Sequence, residues 1–308
     1  MCSTLSGEQL AGTAKGGKII LALEYPRGWG RDILDGDALG AELSTKLKKF
    51  LKDNGAELQF IRRPGRAGQR RDDDPSRVLY ISWATGEADP TKPILERLTV
   101  HGPEDLLELD LTGPGRIPSA IRVDHPLLLI CTHGRRDQCC AMRGRPLAAA
   151  LAKRFSGGDE IWESSHTKGH RFAPSMLLLP ANYSFGHLAP NGATEVLQKA
   201  RQGELRLLGN RGRGIHDVPA QVAELEVARM MADDGLTVGL ASLTVEEVGA
   251  ATRTGSPKSA SRLVTDTCSQ RAWRVDLELR DGVQVISSCG DAPKQSRFWV
   301  AVSVEPVS

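Results

Sequence analysis

Two segments of this chain can be laid over one another by a shift of 105 residues, and that repeat constrains the fold more than any other feature. Arg31-Asp32 falls on Arg136-Asp137, Lys48-Lys49 on Lys153-Arg154, and Phe50 on Phe155. Solenoid and propeller repeats have periods of about 20–50 residues, so a period this long implies duplication of a whole domain. Both copies carry the same order of expected elements. In the first, the apolar run 18–25 has strand length and is ended by Pro26, Gly28 and Gly30. Leu39, Leu43 and Leu47 then recur every fourth residue between Asp37, a candidate N-cap, and Gly55, which predicts a helix. Strands are expected at 58–61, 78–83 and 95–100, and a helix at 103–109. The intervening segment PGRAGQRRDDDPSR has the Gly, Pro and charge of a solvated loop.

Residues 113–126 read as a linker, after which the order repeats. A strand is expected at 127–131, a helix opened by Pro146 with Leu147, Leu151 and Phe155 on one face, strands at 160–163, 176–179 and 183–188, and a helix at 194–201. A βαβ start followed by an antiparallel ββα end is the order of a thioredoxin-like fold. The chain is therefore expected to be α/β, with tandem thioredoxin-like repeats at 1–115 and 116–205 and a small C-terminal α+β unit at 206–308. In that unit GNRGRG reads as a hinge-like loop, 219–232 as an amphipathic helix and RTGSPKSASR as a polar loop. Residues 273–279 and 283–287 read as a hairpin turned at Asp281-Gly282, and 298–304 as a last strand.

Charge and cysteine usage narrow the function. Forty basic and 38 acidic residues in 308 leave a net charge of +2, which excludes a whole-chain pull toward nucleic acid or anionic membrane. The apolar runs are too short to span a bilayer, and the first 17 residues lack the apolar core of a signal peptide, so a cytoplasmic protein is expected. Six cysteines are too sparse for a disulfide scaffold. Cys2, Cys268 and Cys289 lie apart and read as reduced thiols.

The other three cysteines, Cys131, Cys139 and Cys140, fall within ten positions at the first strand–helix turn of the second copy, and His166 and His170 follow. The first copy has Tyr25, Trp29 and Gly30 at the matching turn, with no cysteine or histidine, so it cannot hold the same metal. The thiol spacing is not Cys-x-x-Cys, which argues against ordinary dithiol exchange. Two thiolates and two imidazoles suit either tetrahedral Zn or a [2Fe–2S] cluster with both thiolates on one iron and both imidazoles on the other. Zinc fingers space their cysteines more closely, and the wide loop here suits the larger group. Cys139 is an alternative to Cys140, and its other reading is a small buried hydrophobe. His133, inside the loop, either bonds near a sulfur or faces solvent, and His187 and His216 read as structural or exposed. Arg135, Arg136 and Lys168 flank the ligands, either favouring a reduced anion or standing in solvent.

The segments CTHGRRDQCC and HTKGH resemble the sucrase/ferredoxin-like family, a group of thioredoxin-like ferredoxins, and CSTLSGEQLAGTA, GWGRD and SCGDAP extend the similarity over most of the chain. The resemblance implies a [2Fe–2S] cluster held by Cys131, Cys140, His166 and His170, with Cys140 favoured over Cys139, and a protein that carries one electron. No carboxylate pair at a recognisable spacing supports the sugar hydrolysis that "sucrase" suggests. Two ferric ions, two sulfides, two thiolates and two neutral imidazoles sum to zero, so reduction reaches only −1. Such clusters lie at roughly −150 to +300 mV, against about −400 mV for all-cysteine plant-type ones. The second nitrogen of each imidazole makes proton-coupled reduction the expectation. No Rossmann fingerprint or P-loop is present, so bound flavin or nicotinamide is not expected, and separate redox donor and acceptor proteins are the expected partners. A structural zinc module and a thiol oxidoreductase using Cys139 or Cys140 are the competing readings.

Overall fold

The computed structural model describes residues 8–69, 75–87, 89, 91–248, 258–288 and 291–307. Strand β1 (Ile19–Glu24) is almost wholly buried, which is why it reads as a continuous apolar run rather than an alternating one. Helix α1 (Ala41–Asp53) buries Ser44, Leu47 and Leu51 and returns the chain to β2 (Ala56–Arg62), parallel to β1. After a single helical turn, α2 (Arg66–Gln69), β3 (Arg77–Trp83) runs antiparallel to β1 and β4 (Ile94–Val100) antiparallel to β3. The first half is thus ordered β2-β1-β3-β4. The helix expected at 103–109 is a 3-10 turn, Pro103–Glu108, and the linker adds a two-residue edge strand, β5 (Ile121–Arg122).

The second half has the same order and directions. Strand β6 (Leu127–Cys131), helix α3 (Arg145–Arg154) and β7 (Ile161–Ser164) form the parallel unit, and β8 (Met176–Leu179) and β9 (Tyr183–Phe185) complete β7-β6-β8-β9. Helix α4 (Pro190–Arg201) follows. The halves join where β2 and β7 pair antiparallel, Ile61 opposite Ser164 and Arg62 opposite Glu163. One position on, the Ser165 N–H donates to the Phe60 carbonyl at 2.8 Å and the Phe60 N–H to Ser165 Oγ at 3.0 Å. Residues one repeat apart therefore meet at the seam. The product is one mixed sheet of ten strands, with Ile20, Ala22, Ile61, Leu127, Leu129 and Trp162 in a single apolar cluster that crosses from one half to the other.

Three expectations for the remainder are corrected. GNRGRG is not a hinge: β10 (Asn210–Arg213) is the edge strand beside β9, with Arg211 and Arg213 each about 1% exposed. Sequence patterning places such arginines in water, but carbonyls satisfy these two, Arg213 donating to Ala84 O at 2.7 Å and Ala181 O at 3.1 Å. The RTGSPKSASR segment is not all loop: its residues 253–257 lie outside the described residues, and Ser259 begins β12 (Ser259–Asp266). Nor is there a hairpin at Asp281-Gly282. Strand β13 (Ala272–Val285) runs straight through and pairs with β14 (Lys294–Val307), and the register shift between Asp281 and Gln284 is absorbed as a bulge. With so long a partner available, extending the ladder satisfies more backbone groups than a two-residue turn could.

With β11 (Leu243–Glu247) these strands make a four-stranded antiparallel sheet in sequence order. Helix α5 (Val218–Asp233), N-capped by Asp217, packs on this sheet, and its Val222, Leu225 and Val227 belong to the core that Leu128, Ile130 and Trp273 share. No helix among the described residues is long and apolar enough to cross a membrane.

Candidate metal centre

Cys131 is the last residue of β6, fixed by its N–H to Ser175 O at 3.0 Å. The loop beyond it folds on Asp137, whose backbone N–H donates to His133 O and whose carbonyl accepts from the Cys140 N–H, both at 3.2 Å. Cys140 opens a π-helical turn, Cys140–Gly144, that leads into α3. A Cβ on Gly144 would collide with the Cys131 carbonyl, so glycine is what lets this turn lie on the strand end and bring the second thiol to the first.

The histidines come from the connection after β7. Lys168 (φ 58) and Gly169 (φ +77) are both left-handed and fold this connection back, and His170 opens a 3-10 turn. Arg211 of β10 lies beneath, donating from Nη1 to Lys168 O at 3.2 Å and to Ser175 Oγ at 3.1 Å, from Nε to Thr13 Oγ1 at 3.0 Å, and from Nη2 to Thr13 O. Its guanidinium leaves no room for a side chain at Gly169. The turn that presents both histidines is thus held by a buried arginine, whose pKa burial lowers to about 9.

One ligand atom each from Cys131, Cys140 and His166 lie within 4.8 Å of one another. His170 is outside that group but beside it, its ring centroid 5.3 Å from that of His166. The Nδ1 atoms of both histidines are buried without a hydrogen-bond partner. At His170 the other nitrogen, Nε2, donates to the carbonyl of Ser287 and lies 3.7 Å from Asp137 Oδ2. A carbonyl can only accept, so the proton sits on Nε2 and the lone pair on Nδ1. Two unpartnered imidazole nitrogens beside two fully buried thiols are the donor set of a metal or an iron–sulfur cluster, and the residues fit such a group.

The electrostatics agree with that fit. The Cys131 thiol is held well below its usual pKa, chiefly by a hydrogen bond from the Cys140 thiol and further by the His166 ring, against burial. Cys140 is pushed up because its proton bonds to the Cys131 sulfur, and burial adds to this. The pair loses one proton readily and the second with difficulty, and a bound cation removes that penalty. His170 is lowered by burial, which the Asp137 carboxylate opposes, so its neutral form is favoured.

Cys139 is buried against Ala173 and Ile286, with its N–H on Asp137 Oδ1 at 2.9 Å, and is not among the grouped ligands. His133 is engaged at both nitrogens: Nε2 donates to Gly30 O at 2.7 Å and Nδ1 accepts the His166 N–H at 3.2 Å. Trp29 meets its ring edge-on at 5.6 Å. The first half's matching turn therefore packs against the ligand loop of the second. Arg135, Arg136 and Lys168 are exposed, as is Cys268, and Cys2 and Cys289 lie outside the described residues.

Sequence reasoning missed four contributors: Asp137, Gly144, Arg211 and the 286–288 segment. Asp137 carried a signal, since it is half of the repeated Arg-Asp pair. The 286–288 segment, at the tip of the β13–β14 ribbon, carried none. Ser287 accepts from His170, Ser288 Oγ donates to Asp137 Oδ2 at 3.2 Å, and Ile286 covers Cys139.

A family model described as sucrase/ferredoxin-like matches residues 10–214. No curated protein and no solved structure matches the chain.

Proposed function

This chain belongs to the sucrase/ferredoxin-like family, whose model matches about two-thirds of it, and from that premise we propose that it is an iron–sulfur redox protein that carries one electron between partner proteins. The observation that carries the reading is the convergence of one ligand atom each from Cys131, Cys140 and His166 within 4.8 Å, with the His170 ring beside that of His166 and the Nδ1 atoms of both histidines buried without a partner. A [2Fe–2S] cluster bound by these four residues, thiolates on one iron and imidazoles on the other, would supply reversible one-electron transfer at a potential above that of all-cysteine clusters. Asp137 and Ser287 orient His170 and hold its proton at Nε2. Burial of Cys131 and Cys140 keeps water from the sulfurs, and His166 and His170, both partly exposed, form the edge through which an electron enters and leaves. Reduction is read as proton-coupled, and a potential flat from acid to alkaline pH overturns that part.

The two halves are read as tandem thioredoxin-like domains, supported by their common strand order and by the pairing of Phe60 with Ser165. In this reading the first copy has given up ligands and become a packing partner, its Trp29 and Gly30 covering His133. A reducing, cytoplasmic setting suits the buried thiols of Cys131 and Cys140.

One observation favours a second reading. Cys131, Cys140 and His166 converge closely enough for a single ion, with His170 to one side, which suits structural Zn2+. Protein purified without oxygen separates the two by visible absorption, by EPR after reduction, and by iron, sulfide and zinc analysis. Two irons and two sulfides per chain with a reduced-state EPR signal are expected. One zinc per chain, with no iron after anaerobic reconstitution, overturns the leading proposal.

A further inference from the structure

A cleft of about 770 Å³ opens beside His166, at the seam between the two halves. Its walls come from the turn after β1, from α1 and β2, and from the ligand loops of the second half. Six cations line it, Lys15, Arg31, Lys48, Lys52, Arg136 and Lys168, against two carboxylates, Asp32 and Glu57. The whole chain carries only +2, so this excess is local. Surface cations usually sit near carboxylates, yet among the described residues only Lys15 makes an ion pair here, with Glu57 at 3.4 Å. The other five have none.

Lys15 is itself 2% exposed. Lys15 and Lys168 both line the cleft, and Lys168 stands between His166 and His170 on the turn that presents them, so cationic side chains reach the end of the cleft nearest the ligand loops. Holding five unpaired cations round one cavity costs free energy through mutual repulsion, and a bound anion relieves it. Ile33, Leu34 and Leu51 supply an apolar wall, and the volume is that of a small-molecule site.

We propose that this cleft binds a small, multiply charged organic anion, seated between the two halves with its charged end toward Lys15 and Lys168 beside His166 and its body over Ile33, Leu34 and Leu51. The site does not depend on what Cys131 and Cys140 hold. Phosphate esters and polycarboxylates share the required chemistry, and the choice of probe separates them.

The test is calorimetric titration of the full-length protein with ATP, inorganic pyrophosphate and citrate, at ionic strength fixed with sodium chloride, on both metal-loaded and metal-free samples. Saturable binding below about 1 mM by at least one probe is expected. Pyrophosphate with ATP identifies the phosphate ester, ATP alone adds recognition of its body by the apolar wall, and citrate identifies the polycarboxylate. Lys48→Glu with Lys52→Glu, both exposed on α1, should weaken binding by about tenfold or more. Lys46→Glu with Lys49→Glu changes the net charge equally on the same helix outside the cleft and should leave binding within about twofold. No saturable binding by any of the three probes overturns the proposal, and so does equal weakening by both pairs of substitutions. Binding that persists in protein without iron leaves this site standing even where the redox reading fails.

Discussion

At the scale of single residues, the proposed ligand set rests on which atoms lack a partner. His133 lies closer in sequence to Cys131 than either proposed ligand histidine, but both of its nitrogens are occupied, by Gly30 and by the His166 backbone. His166 and His170 each keep a buried Nδ1 free. Replacing both with thiolates should therefore keep a cluster while taking its oxidised charge from 0 to −2. The double substitution His166→Cys with His170→Cys is expected to lower the reduction potential by a few hundred millivolts, the gap between two-histidine and all-cysteine clusters. An unchanged potential in protein-film voltammetry would mean that these histidines are not ligands. Asp137 acts one step out, holding the Cys139 N–H on Oδ1 and facing His170 and Ser288 with Oδ2. Asp137→Ala should reduce metal affinity by about 10–100-fold, read as Zn2+ competition against a chelator, with the far-ultraviolet circular dichroism unchanged.

At the scale of elements, the π turn at 140–144 is the part most exposed to a small change. Gly144 lies so close to the Cys131 carbonyl that a methyl group must push the turn away from β6. Gly144→Ala should destabilise the fold by about 1–3 kcal/mol and lower metal content, measured by thermal melting and metal analysis. Gly28→Ala, with nothing within 4 Å of its added carbon, should stay within about 0.5 kcal/mol of the parent. Elements that depend on local pattern were legible in the sequence: β1, α1, β6 and α3 follow apolar runs and leucine periodicity. Elements that depend on distant partners were not. β10 reads as loop because its arginines are charged, and acceptors distant in the chain, the carbonyls of Thr13, Ala84, Lys168 and Ala181 with the Thr13 and Ser175 hydroxyls, make their burial tolerable. The bulge at Asp281-Gly282 reads as a turn because local preference there is for a turn, and the length of β14 overrides it. The four proposed ligands were readable because their residue types are rare and their spacing compact. Arg211 and the 286–288 segment were not, because the fold delivers them from 41 residues or more beyond His170 in the chain.

At the scale of the molecule, the two halves are joined by more than a shared sheet edge. At the seam Arg62 Nε donates to Glu163 Oε2 at 2.9 Å, both side chains being less than 10% exposed. Thr132, at the head of the ligand loop, donates to the same oxygen at 3.1 Å, and Arg62 stacks 4.3 Å over Trp29. The pair thus links the Trp29 turn of the first half to the Cys131–Cys140 loop of the second. Breaking a buried pair from one side leaves an uncompensated charge, whereas replacing both partners by apolar groups can be neutral. Glu163→Ala should therefore cost about 3–5 kcal/mol in urea unfolding, and Arg62→Met with Glu163→Leu should recover most of it. Chains longer than about 150 residues commonly unfold through intermediates. Here one apolar cluster runs from Ile20 and Ile61 to Leu129 and Trp162, which predicts that the halves unfold as one cooperative unit. Fluorescence from Trp29 in the first half and Trp162 in the second, isolated by replacing the other tryptophans with phenylalanine, should report the same midpoint. Glu163→Ala should lower both midpoints together, and a shift confined to one of them would show that the halves unfold independently.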